Sequence, residues 1–533
     1  MMDTFKKPLE ELKDYSDLVE SLKKDSGFFA VSGCIDAEKP HLIYGAGSGM
    51  KNRIVVAASE QRAKELCEEY RFFEKEAVYF PAKDILFYQA DIHGNLLTQE
   101  RIRTLKAVSE QTGVTVFTTF DALMNEMAEP KSFTAAVKKF EIGDTVNLQE
   151  LEKELVEMGY VRGYQGEAAG EFAVRGGILD IYPFTEENPL RMELWGDEVD
   201  SLRNFDVESQ RMIENLDEIT VYPACEFILS GEMREKGIKK LRAESKKVQE
   251  QFRQEMKTEE AYRVKTATEG FIEELTEGGG SVDADVYLSY FTDRTVSLLS
   301  YFEKEDTVVF LDEPQRCVEK GNVTEKEFSE SMKQRLEKGY ILPGQMKALF
   351  TCRQILAELS SRKCVGLASL ETKEKDFEIK ARFAVSTRSV NPYNSSFELL
   401  VKDLKRWKKE KYRVVLMCAS RTRGRRLAED LLAEELSAFY SEDETRITQP
   451  GEIMVTHGNV YRGYEYPMIR FAVISETDVF GKEKKKKHRK QRSYEGTRIG
   501  SFSDLNVGDY VVHENHGLGI YRGIEKITVD KTV

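Results

Sequence analysis

The sequence predicts a multidomain α/β protein, and three observations carry that expectation. A chain of 533 residues is longer than one hydrophobic core usually serves. Between residues 28 and 118, apolar β-rich runs take turns with stretches of helical periodicity, as in a sheet wound with helices on both faces. From Gly170 to Asp206 the pattern changes to apolar and polar residues in alternation, broken by Gly and Pro, which reads as an antiparallel meander with one wet face.

The expected order begins with an α/β unit over 1–145. Its strands are Arg53–Ala57, Ala77–Phe80 and Val114–Thr118, with helices at Glu60–Phe73 and Leu97–Glu110. Strands alternating with helices suggest a doubly wound parallel sheet of the RecA type. Such a sheet often carries a phosphate loop after its first strand. The candidate is Gly33 to Pro40, after the apolar run Phe28–Ser32. A working loop needs GxxxxGK[ST], because glycines let backbone amides reach phosphate and the hydroxyl holds magnesium. Here Glu38 replaces the second glycine and Pro40 replaces the hydroxyl, leaving Lys39 alone. Glu38 is expected to repel phosphate. The later cluster Gly45–Asn52 also fails the pattern. The unit therefore reads as a degenerate nucleotide fold.

An inserted small antiparallel β (α+β) domain is expected over 146–228. Its runs are Gly170–Pro183, which breaks at Gly176-Gly177, then Leu190–Asp200, then Ser201–Asp206. The wet face carries Arg175, Arg191, Glu193 and Asp197, with Trp195 nearby. Such a face is either a solvated surface with ordinary cross-strand ion pairs or a protein-docking surface. A further stretch runs over 229–349. A charged helical run fills Gly231–Thr276, and a break follows at Gly278–Gly280. The strand Thr307–Leu311 ends in Asp312-Glu313. That resembles a Walker B strand, whose acids hold magnesium, or else it is a buried strand ending in a polar turn.

A second α/β domain is expected over 350–481, with a helix at Ser396–Lys409, a strand at Arg413–Cys418 and a strand at Phe471–Glu476. Arg421, Arg423, Arg425 and Arg426 lie at a helix start, and a solvated face accounts for them. Residues 482–499 form a basic linker. Its run Lys482–Arg492 has a net charge of +7 with His488 neutral. Self-repulsion keeps such a run extended, and it can meet DNA phosphates weakly and without sequence preference. Residues 500–533 alternate like the start of a small Tudor/SH3-like β-barrel, truncated at Val533. His513 and His516 lack a third ligand and are read as turn residues, so no metal site is expected.

Composition bounds the function. The chain is 41% hydrophobic and 32% charged, and its net charge of −14 disfavours a wholesale nucleic-acid coat. No apolar run approaches the roughly 18 residues that span a bilayer, so no membrane partner is expected. The seven cysteines form no CxxC pair, which argues for reduced thiols and a cytoplasmic location. No residue is assigned a catalytic role.

The wording of the meander resembles the transcription-repair coupling factor family of bacteria. The matching residues are Gly170-Glu171-Phe172, Arg175-Gly176, Ile178-Leu179-Asp180, Tyr182-Pro183, Arg191, Asp197-Glu198, Asp200-Ser201, Phe205-Asp206 and Ser209-Gln210-Arg211. UvrB shares much of this pattern but keeps its nucleotide loop, whereas the coupling factors have a degenerate one. The segment Gly508–Ile524 resembles the CarD-like domain through which that family meets RNA polymerase. The resemblance also returns the stretch over 229–349 to the first domain. The resemblance implies transcription-coupled nucleotide excision repair, with UvrA docking on Arg175, Arg191 and Trp195, supported by Glu171 and Asp197. It implies β-strand addition to the polymerase β subunit, with Ile527 in the contact. Full-length members are ATP-dependent translocases on double-stranded DNA that use ATP and magnesium. This chain reads as an N-terminal fragment of one, without the motor lobes and with no cofactor of its own. The other classes are a UvrB-type ATPase and a CarD-type polymerase regulator. Asp312-Glu313 supports the first, but Ile85–Asp91 is too short and too poor in aromatics for the damage-clamping hairpin it needs. The second accounts only for the last residues.

Overall fold

The computed structural model describes residues 3–83, 95–110, 113–164, 166–277, 284–371, 375–443, 445–481, 510–513 and 517–520. The stretch Ile85–Asp91, the Gly278–Gly280 break, the basic linker and Ile527 lie outside the described residues.

The first sheet has seven strands. Their order is Ile379–Ala384, Gly27–Ser32, Lys363–Ala368, Thr307–Asp312, Asn52–Ala57, Thr115–Thr119 and Val78–Phe80. Every neighbouring pair is parallel. Successive residues of each strand face opposite sides. Phe28, Ile54, Val56, Val116 and Val309 enter one core. Phe29, Val55, Phe117, Val308 and Phe310 enter another. This double burial explains why the strands read as unbroken apolar runs. As expected, the chain returns after the insertion: Thr307–Asp312 sits between Asn52–Ala57 and Lys363–Ala368.

The expected boundary at 350 is corrected, because the strands Lys363–Ala368 and Ile379–Ala384 both belong to the first sheet. The third sheet starts with the strand Arg388–Ser389. The charged run after Gly231 is also not one helix. It is a hairpin of Gly231–Gln254 and Thr258–Glu277, turned at Met256 with φ +59°.

The insertion is a sheet of six strands, ordered Met212–Leu216, Glu198–Phe205, Leu190–Trp195, Ile178–Ile181, Glu171–Arg175 and Val161–Arg162. The run expected as Leu190–Asp200 is in fact a hairpin. It turns at Gly196, whose φ of +66° suits a residue without a side chain. The chain enters and leaves through a pair of short strands, Lys138–Glu141 and Glu218–Val221. The insertion therefore begins nearer 138 than 146. Beyond its exit, buried Glu226 accepts from Arg101 at 2.5 and 2.8 Å and pairs with Lys83 at 3.1 Å, anchoring the chain to the helix Asn95–Ser109.

The third sheet is ordered Arg388–Ser389, Tyr464–Tyr466, Phe471–Ile474, Arg413–Cys418, Ile453–His457 and Ala438–Tyr440. One face buries Leu416, Val455 and Ile474 with Leu400, Leu404 and Trp407 of the helix Phe397–Lys409 and Leu427 and Leu431 of the helix Arg421–Ala433. The other face packs on the first domain. Its Val415, Met417, Tyr464, Tyr466 and Val473 share a core with Leu42, Ile43, Leu66 and Phe117 of the first domain. Each such side chain taken from water contributes about 1.5–3 kcal/mol. The third unit is thus fused to the first by a common core. Polar ties reinforce the seam: Arg413 donates to both Glu11 oxygens at 2.5 and 2.8 Å, and Thr4 donates to the Arg446 carbonyl at 2.6 Å. Near the end of the chain, Tyr510–His513 and Gly517–Ile520 pair as antiparallel strands.

Two buried titratable groups lie in this seam. The Nε2 of His41 meets the Phe5 carbonyl at 2.8 Å, and its Nδ1 meets the Tyr466 hydroxyl at 3.0 Å. A carbonyl only accepts, so Nε2 carries the proton and the Tyr466 hydroxyl donates to Nδ1. Burial holds the His41 pKa down at about 4. The adjacent Glu38 has both oxygens buried without a hydrogen-bond partner, and burial pushes its pKa up to about 8. A raised carboxyl binds its proton more tightly in the folded state. Its contribution is therefore present at low pH and lost as pH rises from about 4.5 to 8. Glu38→Gln should accordingly leave stability near pH 5 little changed and raise it at pH 8 by on the order of 2 kcal/mol. Urea melts at the two pH values check this, and an equal effect at both would contradict a buried neutral Glu38.

Candidate functional sites

The sequence singles out two places, and the structure shows how each is built. The first is the loop after Gly27–Ser32. Gly33 turns with φ +81°, and a side chain there would strike the Val385 carbonyl. Several amides of the loop are already used. The Cys34 amide donates to the Ala368 carbonyl at 3.1 Å, the Ile35 amide to the Thr387 hydroxyl at 3.3 Å, and the Glu38 amide to the Ile35 carbonyl at 3.1 Å. Thr387 in turn donates to the Gly33 carbonyl at 2.9 Å. The segment 384–387 therefore lies along the loop and fills it.

Lys39 is fully buried at the start of a helix, Lys39–Gly47, whose residues are all buried. Its Nζ donates to Asp312 Oδ1 at 2.6 Å, Glu313 Oε1 at 2.8 Å and Asp36 Oδ1 at 3.1 Å. Arg62 adds bonds to Asp312 Oδ2 at 2.9 Å and Asp36 Oδ1 at 3.3 Å. Ser369 donates through its amide and hydroxyl to Glu313 Oε1. Burial opposes the charge on Lys39, but Asp312 and Glu313 outweigh it and hold the pKa above the ordinary lysine range. Burial also opposes ionisation of Glu313, yet Lys39 and Ser369 bring its pKa below the usual carboxylate value. Asp36, Asp312 and Glu313 lie close enough together to hold a divalent ion. Lys39 and Arg62 instead neutralise them. Glu38 also acts otherwise than by repelling phosphate, since it is buried toward Tyr464 and Tyr466 in the interdomain seam. The loop keeps the lysine and acids of a nucleotide site but ties them to one another.

The second place is the outer face of the inserted sheet. Cross-strand register sets Ala173, Asp180, Arg191 and Arg203 in one row, and Arg175, Ile178, Glu193 and Ser201 in the next. Leu179, Ile181 and Met192 point the other way, into the core. The centre of the outer face is Asp180, fully buried although it sits on the polar side. Arg191 forks onto it, Nε to Oδ1 at 2.6 Å and a terminal nitrogen to Oδ2 at 2.9 Å. Arg175 reaches the same Oδ2 at 2.5 Å. Arg191 also bonds Gln210 at 3.1 Å and lies over the Phe205 ring at 4.2 Å. Its side chain is only 12% exposed, against 43% for Arg175. Arg191 is therefore a clamp within the sheet, bound by the cross-strand ion pairing that was one of the two readings of this face. Glu193 bonds Ser201 at 2.9 Å and pairs with Arg203.

Trp195 stands at the strand end and is 83% exposed. Asp197 follows it in the exposed turn, where its carbonyl accepts from the Val146 amide. Glu171 sits at the far end of its own strand, with its carboxylate on the Ala168 amide at 3.3 Å. The structure thus joins Arg175 and Arg191 through Asp180, puts Trp195 and Asp197 at one hairpin tip, and leaves Glu171 apart. Asp180 is the residue that sequence reasoning left without a role. Its signal was a lone acid between Leu179 and Ile181, which alternation turns away from the core. Met212 and Ile213 on the edge strand add exposed apolar surface to the same sheet.

Residues 139–227 match the family described as the UvrB interaction domain, and 505–533 match the CarD-like/TRCF RID domain. The first match begins and ends close to the strand pair that opens and closes the insertion. The chain is 30% identical over 462 residues to the transcription-repair-coupling factor of Bacillus subtilis strain 168. It is 27% identical over 465 residues to that of Staphylococcus epidermidis RP62A, and 27% over 461 to that of Staphylococcus haemolyticus JCSC1435. Each likeness covers 86% of this chain but 38% of the relative. The chain thus spans about two fifths of the length of the curated relatives it matches.

The clamp and the tryptophan should separate in a melting experiment. Arg191→Ala leaves a buried carboxylate with one half-exposed partner and should cost about 2–4 kcal/mol. Trp195→Ala removes a solvated ring and should change stability by less than about 0.5 kcal/mol. Urea titrations of the two variants check this, and an Arg191→Ala melt like that of wild type would contradict the clamp.

Proposed function

We propose that this chain serves transcription-coupled nucleotide excision repair as the recruiting part of a transcription-repair coupling factor. In this reading the inserted sheet docks UvrA, the CarD-like segment engages the RNA polymerase β subunit with Ile527 in the contact, and the basic linker over 482–499 meets double-stranded DNA. The observation that carries it is the outer face of the insertion. A solvated tryptophan beside an arginine-rich row is a favourable anchor for a partner, because apolar area and a planar cation reinforce each other. In the free chain Arg175 stays half-exposed, so its remaining donors are open to a partner carboxylate. Arg191 acts one step behind, holding Asp180 and hence the fork of Arg175.

The first sheet takes the part of a degenerate RecA-like domain, and the paired strands near the end that of a Tudor-like barrel. With Lys39 committed to Asp312 and Glu313, and the loop amides to Ala368 and Thr387, the loop binds neither ATP nor magnesium. The chain itself needs no cofactor and turns over no nucleotide through this site. The ATP-driven translocation of the family is a property of the whole protein. A cytoplasmic setting suits seven free cysteines.

Surface-immobilised UvrA tests the docking reading. Trp195→Ala and Arg175→Ala should each weaken binding about tenfold or more while keeping the wild-type melt. Wild-type affinity in both variants would move the docking surface elsewhere.

A further inference from the structure

The hairpin after the insertion carries a feature that neither the docking face nor the closed loop explains. Its first helix, Gly231–Gln254, buries Gly237, Leu241, Ser245, Val248 and Phe252 at steps of three and four, a single stripe against the second helix and Phe291. Lys239, Arg242, Lys246 and Arg253 recur on the opposite side of the same helix, and all are exposed. None of them takes part in an ion pair or side-chain hydrogen bond among the described residues. Their neighbours Lys236 and Lys240 are paired, with Glu232 and Asp293. The acids on the outward side are Glu232, paired with Lys236, and Glu235 and Glu250.

The four cations span 15 residues, or about 21 Å of helix axis from first to last. Duplex DNA presents one phosphate charge per roughly 1.7 Å of axis, so a straight rod of charge of this length meets several phosphates at once. The outward face between Lys239 and Arg253 holds no large apolar side chain. A protein partner wants an aromatic or aliphatic anchor, whereas a polyanion needs only charge at intervals. The acids of the second helix, among them Glu259, Glu260, Glu269, Glu273 and Glu274, lie on the element that covers the buried side. They are roughly a helix diameter from the stripe, comparable to the screening length at physiological salt.

We propose that the outward face of the helix Gly231–Gln254 is a second contact for the phosphate backbone of double-stranded DNA, independent of base sequence. It rests on the reading above only in its choice of DNA as the partner, and it needs neither the basic linker nor the UvrA face. The helix keeps its buried stripe whatever the outward side carries, so the contact can be removed without unfolding the hairpin.

Fluorescence anisotropy of the full chain with a labelled 30-base-pair duplex, from about 50 to 200 mM salt, tests it. The variant combines Lys239→Gln, Arg242→Gln, Lys246→Gln and Arg253→Gln. A second variant neutralises Lys484, Lys485, Lys486 and Lys487. Each lost phosphate contact lowers the salt slope by about 0.9, so the helix variant should lose a slope of about 3 and bind at least tenfold more weakly at the lowest salt. Its melt and its UvrA binding should stay at wild-type values. A loss confined to the linker variant overturns the helix contact and leaves the linker reading standing. Absence of DNA binding by the wild-type chain overturns both.

Discussion

The ion cluster around Lys39 is the constraint on which the rest of the structure depends. It joins Lys39 at the head of a buried helix to Asp312 and Glu313 at the end of a central strand. Those are the positions from which a nucleotide fold reaches phosphate and magnesium. Here the lysine supplies the charge that the acids would otherwise seek from a metal. Arg62 and Ser369 satisfy the remaining oxygens, so no charge in the cluster is stranded. A buried pair of this kind contributes little compared with an apolar replacement, but breaking one side of it is costly. Its effect is to hold the loop shut from within.

Closing the loop has a consequence for packing. Once no ligand has to enter, the helix Lys39–Gly47 can be covered on every side, and all its residues are buried. The third sheet covers it. That sheet brings Tyr464 and Tyr466 to the helix and shares one core with the first domain. His41 and Glu38 lie in the same seam as neutral groups, one bonded and the other isolated. The insertion leaves the body of the protein through one strand pair and presents its sheet face outward.

Much of this was legible. The parallel strands announced themselves as apolar runs, and the meander as alternation. The defects of the loop were plain in Glu38 and Pro40. What was not legible follows from long-range pairing. Lys363–Ala368 is as apolar as the other strands, but nothing local says that it pairs with Gly27–Ser32 more than 300 residues earlier rather than with the strands after it. The hairpin turn at Gly196 was hidden because Glu198-Val199-Asp200 continues the alternation of the strand before it. Glu38 looked like a phosphate repellent because sequence does not say which way a helix-cap side chain turns. The partner of Arg191, Asp180, was hidden because it is set by cross-strand register. The role of Lys39 needed both halves of the first domain, which the insertion separates in sequence but not in space.

A double-mutant cycle on Lys39→Met and Asp312→Leu, read by urea denaturation, tests the central claim most directly. If the pair holds the loop shut as described, each single variant leaves a buried charge short of its nearest partner. The double variant should then be more stable than the sum of the single effects implies, with a coupling above about 2 kcal/mol. Additive effects within about 0.5 kcal/mol would mean that Lys39 and Asp312 do not depend on each other, and the account of a loop closed from within would be wrong.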